Sequence, residues 1–242
     1  MIYLILFLSG ALAWAISTAA AGGAAILLIP VISFLLGAQL VPPIISIASI
    51  IANPSRVFFF YQYIDWKVIR YLMPGSLLGA ILGAWSFTQI NVEFIQIILG
   101  VFLLTYVFQY QFSKTRFHFH MKRPWFFPLG ITASFLSGLV GATGPILNPF
   151  MLSYGLEKEQ LVATKSLNSL VMQLTKLTTY TIFGAITWQT GVYGILLGMG
   201  AVLGVYVARE HLLNIHLERF RNYTLAIMSI SGVLMLTKAF WY

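Results

Sequence analysis

Apolar residues run along this chain in long blocks, and short polar or charged stretches separate them. A helix needs about 20 apolar residues to cross the hydrocarbon core of a bilayer. The blocks predict spans at 2–21, 41–61, 68–88, 92–111, 160–183, 188–208 and 220–241. Shorter apolar pieces lie at 24–36, 125–140 and 145–155. The stretch from Ser137 to Pro149 interrupts this pattern. It lies in apolar sequence, yet it holds Gly138, Gly141, Gly144, Pro145 and Pro149. Gly permits backbone conformations that a helix does not use. Pro removes a donor and clashes with the preceding turn. No continuous helix is expected from Gly141 to Pro149. In lipid, non-helical backbone persists only where protein or a water-filled cavity satisfies it. Broken helices of this kind mark the binding sites of many transporters.

The interruption has a counterpart about 120 residues earlier. Gly22-Gly23 with Pro30 answers Gly141-Ala142 with Pro149, and Gly37 answers Gly155. Trp66 answers Trp188, and Gly79/Gly83 answers Gly200/Gly204. Gly and Pro are common in membrane spans, so each match alone is weak; their order carries the inference. It predicts an internal duplication, with a first repeat at 1–111, a basic linker at 112–124 and a second repeat at 125–242. The Gly-xxx-Gly pairs are read as packing sites where helix backbones approach closely.

Composition narrows the class. The chain is 59% hydrophobic and 8% charged, with a net charge of +8. Soluble domains carry about 25% charged residues, so this is an all-α polytopic membrane protein embedded in the lipid bilayer. The basic residues sit in short loops, which makes them topology signals rather than a nucleic-acid surface. There is no cysteine, which excludes disulfides and thiolate chemistry. The first residues resemble a signal peptide in their small-residue ending at Ser17-Thr18-Ala19, but no basic segment precedes the apolar run. A retained membrane segment is expected.

Cytoplasmic loops are rich in Lys and Arg. Lys114, Arg116, Lys122 and Arg123 place the linker on the cytoplasmic side, and Arg209, Arg219 and Arg221 do the same for 209–221. The loop at 62–70 has Lys67 and Arg70, whereas its counterpart at 184–189 has no charge. The same loop therefore falls on opposite sides in the two repeats. That predicts inverted repeats with an odd number of crossings each: three if the broken element is re-entrant, five if its short pieces cross fully.

The candidate chemistry follows from where the charges fall. The acids are Asp65, Glu93, Glu157, Glu159, Glu210 and Glu218, all in or beside loops. Arg56, Lys165 and Lys176 instead lie inside apolar spans, where charge is costly and commonly functional. Asn53-Pro-Ser-Arg56 and Gln173-Leu-Thr-Lys176 are repeat counterparts, and residues three apart share a helix face. A cavity with cations and no anions selects an anionic substrate. Pro145 suits the first turn of a new helix, whose N-terminus favours anions. Thr143 or Gly144 would cap it. Asn148 either joins the site or satisfies backbone freed by Pro149. Lys165 either joins it or extends to the interface. His118-Phe-His120 is a weak metal pattern, read as solvated loop. No cofactor and no metal site are expected.

The duplicated pattern resembles the sulfite exporter TauE/SafE family of membrane permeases. In each half a Gly-rich segment leads to a Pro, a short helix, a Gly and an Ala/Thr/Ser-rich helix. Here these are Gly22-Gly23, Pro30, Gly37 and Ala48-Ser49, then Gly138 with Gly141 to Gly144, Pro149, Gly155 and Ala163 to Ser166. The first half departs from the pattern, with Ala24-Ala25 where further glycines are common. The resemblance implies a secondary transporter, not an enzyme, that moves sulfite-like or other organic anions across the cytoplasmic membrane. An anion channel of similar architecture is the alternative, and the sequence leaves a homo-oligomer open. The expected substrate-binding set is Gly22, Gly23, Asn53, Arg56, Gly141 and Thr143, with Gly144, Asn148, Lys165, Gln173 and Lys176.

Overall fold

A computed structural model describes residues 1–19, 24–112, 121–211 and 229–237, apart from the side chains of 19, 109–112, 144–145, 158 and 209–211. The described chain is helical, without strands. Its helices are α1 (Ile2–Ala19), α2 (Ala24–Leu36), α3 (Val41–Phe60), α4 (Trp66–Gln89) and α5 (Val92–Phe112), followed by α6 (Phe126–Val140), α7 (Gly144–Tyr154), α8 (Lys158–Ile182) and α9 (Trp188–His211). Residues 229–237 form a further helical stretch. These bounds follow the apolar blocks closely. The linker histidines His118 and His120 and the pair Gly22-Gly23 lie outside the described residues.

Among the described residues, Ala38–Tyr63, Trp66–Gln89 and Trp188–Ala208 are long and apolar enough to cross a membrane. Large apolar side chains face outward, Phe34 at 84% and Trp188 at 86% exposure among them. In water this surface would be a liability; against lipid tails it is the expected face.

The interruption after α6 is narrower than the sequence predicts. Only residues 141–143 leave the helix, and α7 resumes at Gly144 and continues through Pro149. The reason lies in the two prolines. Pro145 sits in the first turn, where its missing N–H would have no helical partner anyway. Pro149 then removes a single backbone bond, a loss that a short buried helix tolerates. α2 has the same internal feature at Pro30. Both short helices end on a glycine in the left-handed region, Gly37 at φ 102° and Gly155 at φ 100°. A side chain at either position would be strained.

Packing crosses the midpoint of the sequence. α4 lies along α6, and α1 lies along α9. α3 packs on α8 and α9, and α8 packs on α3 and α4. Glycines set the closest approaches. A Cβ placed on Gly79 would stand 2.1 Å from the Ile131 carbonyl oxygen, and one on Gly200 would stand 2.0 Å from that of Phe7. Gly83 meets Phe135 and Gly204 meets Ala11 in the same way. Backbone faces backbone at each of these points, so no side chain can yield. In a membrane the hydrophobic effect does not drive helices together, and such close contact is a main source of association.

Gly79→Ala is therefore expected to cost about 1–3 kcal/mol through overpacking. Gly191, also inside a helix, has open space around it, so Gly191→Ala should be neutral or slightly stabilising. Thermal unfolding in detergent checks both: equal melting temperatures for the two variants would contradict this account of the packing.

Candidate functional site

α8 is the least apolar of the long helices, and its polar residues turn inward. Thr164, Lys165, Ser166, Asn168, Gln173 and Lys176 are all buried. Buried polar groups in a membrane need partners from neighbouring helices, and α3 supplies some of them. Asn53 Nδ2 donates to Ser169 Oγ at 3.0 Å. Ser49, Asn53 and Arg56 fall on one stripe of α3, at spacings of four and three residues.

Between these two stripes lies a cavity of about 50 Å³, room for a few waters or one small ion. Of the residues singled out from the sequence, Asn53, Arg56, Gly141, Thr143, Lys165 and Gln173 line it. The end of α1 closes another side with Trp14 and Ser17, and the start of α2 contributes Ala24 and Ala25. Gly141 ends α6 with φ 88°, a left-handed turn that frees the backbone to enter α7. Thr143 is the residue before α7, and its hydroxyl makes no cap hydrogen bond to the helix.

The two cations in the wall are held differently. Arg56 Nε donates to Thr18 Oγ1 at 3.0 Å, and Nη2 donates to Thr18 Oγ1 at 2.8 Å and to the Trp14 carbonyl at 3.1 Å. Lys165 Nζ donates to Asn148 Oδ1 at 2.9 Å. Asn148 thus bears on the site through Lys165. Arg56 and Lys165 are also near enough to repel each other. Among the described residues no carboxylate belongs to the wall.

The described acids are engaged at helix starts instead. Asp65 Oδ1 accepts from the N–H groups of Lys67 and Val68 at 2.9 and 3.0 Å, capping α4. Glu157 caps α8 together with Gln160. Glu93 and Glu159 sit in first turns. These are the positions where a negative charge favours a helix. Among the described residues no cluster of His, Asp or Glu is fit to hold a metal.

Lys176 does not line this cavity. It is fully buried, and Nζ donates to the Ser137 carbonyl at 3.0 Å and to Ser137 Oγ at 3.3 Å. Tyr180 Oη donates to the Gly138 carbonyl at 2.5 Å. Both therefore hold the last turn of α6, just ahead of the break. Gly144 opens α7, directly after Thr143 of the wall. The neighbours of Gly22-Gly23, Ala24 and Ala25, lie in the wall.

Sequence reasoning missed Trp14, Ser17, Ser49, Ser166 and Ser169, which also line the cavity. A signal was present for the first two. Trp14, Ser17 and Thr18 cluster at the end of an apolar span, just before Gly22-Gly23. The indole of Trp14 is 2% exposed, and its Nε1 has no hydrogen-bond partner among the described residues. A larger cavity of about 620 Å³ lies among α2, α5 and 229–237. None of the described residues that line it is charged.

A family model described as "Sulfite exporter TauE/SafE" matches residues 6–235. No curated protein and no solved structure matches the chain. The match covers nearly the whole sequence, and the chain belongs to the TauE/SafE family. That is a family of membrane transporters, not of enzymes.

Proposed function

We propose that this member of the TauE/SafE family carries small sulfite-like anions across the cytoplasmic membrane by alternating access. One observation carries the reading: Arg56 and Lys165 share a buried cavity whose described wall residues include no carboxylate. Two repelling cations in a poorly solvated site are stabilised by an anion placed between them. Hydroxyls from Thr143 and Ser166 and the amide of Asn53 add neutral groups around it. The start of α7 adds the positive end of a helix dipole. The site then consists of two cations, several neutral polar groups and a helix N-terminus, which suits a compact oxyanion.

Alternating access follows from an inverted duplication, with repeats at 1–111 and 125–242 joined by a cytoplasmic linker at 112–124. Reciprocal packing supports it. The first helix of each half lies on the fourth helix of the other, α1 on α9 and α6 on α4. The glycine contacts repeat as well, Gly79 on Ile131 and Gly200 on Phe7. Arg56 and Lys176 play matching parts, each donating to a carbonyl near the end of its partner helix, α1 or α6. Rocking of one half against the other would then expose the cavity to each side in turn.

Within this reading Lys165 contacts the anion, and Lys176 positions α6. A ligand that binds only the folded state raises the melting temperature, by about 2.7 kcal/mol of stability at a hundredfold excess over Kd. Sulfite should stabilise the purified protein in this way. Lys165→Gln keeps an amide for Asn148 but removes the charge, and it should abolish the shift. Lys176→Gln should lower the melting temperature without anion while the sulfite-induced shift survives. A shift retained in Lys165→Gln would remove that lysine from the site.

Topology has its own test. The chain has no cysteine, so single cysteines are clean reporters. Trp66→Cys and Trp188→Cys stand at exposed, equivalent positions of the two halves. An impermeant maleimide should reach the first from the cytoplasmic side and the second from outside. Labelling from one side only would rule out the inverted arrangement.

A further inference from the structure

We propose that Trp14 is an anion ligand: its indole N–H donates a hydrogen bond to an oxygen of the small oxyanion held beside Arg56 and Lys165. The inference rests on the anion reading of this cavity and adds to it a donor from α1. An indole nitrogen is a donor only, and a buried one usually finds a partner. Here it finds none among the described residues, although the residue is 98% buried. Two buried side-chain atoms without partners belong to residues of the cavity wall, Trp14 Nε1 and Gln173 Oε1. The glutamine atom is an acceptor and gains nothing from an anion. The indole N–H is a donor, and an anion oxygen is the partner it lacks.

The surroundings fix this donor in place. The Trp14 carbonyl accepts from Arg56 Nη2, and Thr18 Oγ1, one turn further on, accepts from the same guanidinium. Arg56 therefore ties the backbone of Trp14 to the cavity it helps to charge. Three helices thus bring donor-bearing residues to one small cavity, Trp14 from α1, Arg56 from α3 and Lys165 from α8. An anion with several acceptor oxygens can meet them separately. A ligand with one acceptor atom cannot.

Trp14→Phe tests the inference, because it removes the N–H and keeps an aromatic ring of similar shape. Purified wild type and variant are titrated with sulfite, with melting temperature as the readout. The variant is expected to melt near the wild type without anion and to bind sulfite at least about tenfold more weakly, the scale of one hydrogen bond to a charged group. Equal affinities would overturn the assignment of Trp14 while leaving the anion site intact. Absence of sulfite binding by the wild type would overturn the anion reading and this inference together.

A second measurement covers a variant that fails to fold. Trp66, Trp85, Trp125 and Trp188 are exposed. With these and Trp241 replaced by Phe, Trp14 becomes the sole reporter, and saturable sulfite binding should change its emission. Binding that leaves this emission unchanged would also overturn the assignment.

Discussion

Every backbone N–H and C=O inside a membrane must find a partner within the protein. The interruption at 141–143 ends the helical bonding of α6 at the Ser137 carbonyl, which still accepts from the Gly141 N–H at 2.8 Å. The protein supplies donors from α8: Lys176 and Tyr180 reach the carbonyls of Ser137 and Gly138. Arg56 braces the last turns of α1 through the Trp14 carbonyl and Thr18. Hydrogen bonds from charged donors are worth about 1.5–3 kcal/mol each, enough to hold a helix end that lipid would not tolerate. The long polar helix α8 is a consequence. It must be buried on several sides, and the glycine seams between α4 and α6 and between α1 and α9 bring the surrounding helices close enough to bury it.

The same constraint brings charge to the centre. A guanidinium has more donors than the Trp14 carbonyl and Thr18 require, so Arg56 both braces α1 and borders the cavity. Lys165 instead reaches the side chain of Asn148 in α7. The residue 120 positions earlier is the buried, apolar Ile45, so under the proposed duplication Lys165 has no charged counterpart. That asymmetry makes Lys165 the most specific element of the candidate site. It also leaves acids nothing to do there, and Asp65, Glu93, Glu157 and Glu159 serve helix starts instead.

Much of this was legible in the sequence. Apolar runs located the helices, and the pairs Gly37/Gly155 and Gly79/Gly200 marked matching positions that the structure uses in matching ways. Asn53, Arg56, Lys165 and Gln173 were identifiable as polar residues in apolar surroundings, and they meet in one cavity. Lys176 shows why the rest was hidden. It follows Lys165 by eleven residues, which returns it to within about 20° of the same helix face but about 16 Å further along the axis. A helical wheel cannot separate the two; only the height of the break in α6 does. Trp14 was hidden for another reason. An indole in a membrane span reads as apolar until its N–H is seen to have no partner.

The most direct test is counterflow in proteoliposomes. Vesicles loaded with unlabelled sulfite are diluted into a trace of radiolabelled sulfite, and uptake is followed over time. A carrier that alternates its access predicts saturable uptake with a transient overshoot, driven by exchange across the loaded membrane and lost in Lys165→Gln. Uptake that rises linearly with concentration and shows no overshoot would contradict alternating access, and no uptake above empty vesicles would contradict sulfite as the transported anion.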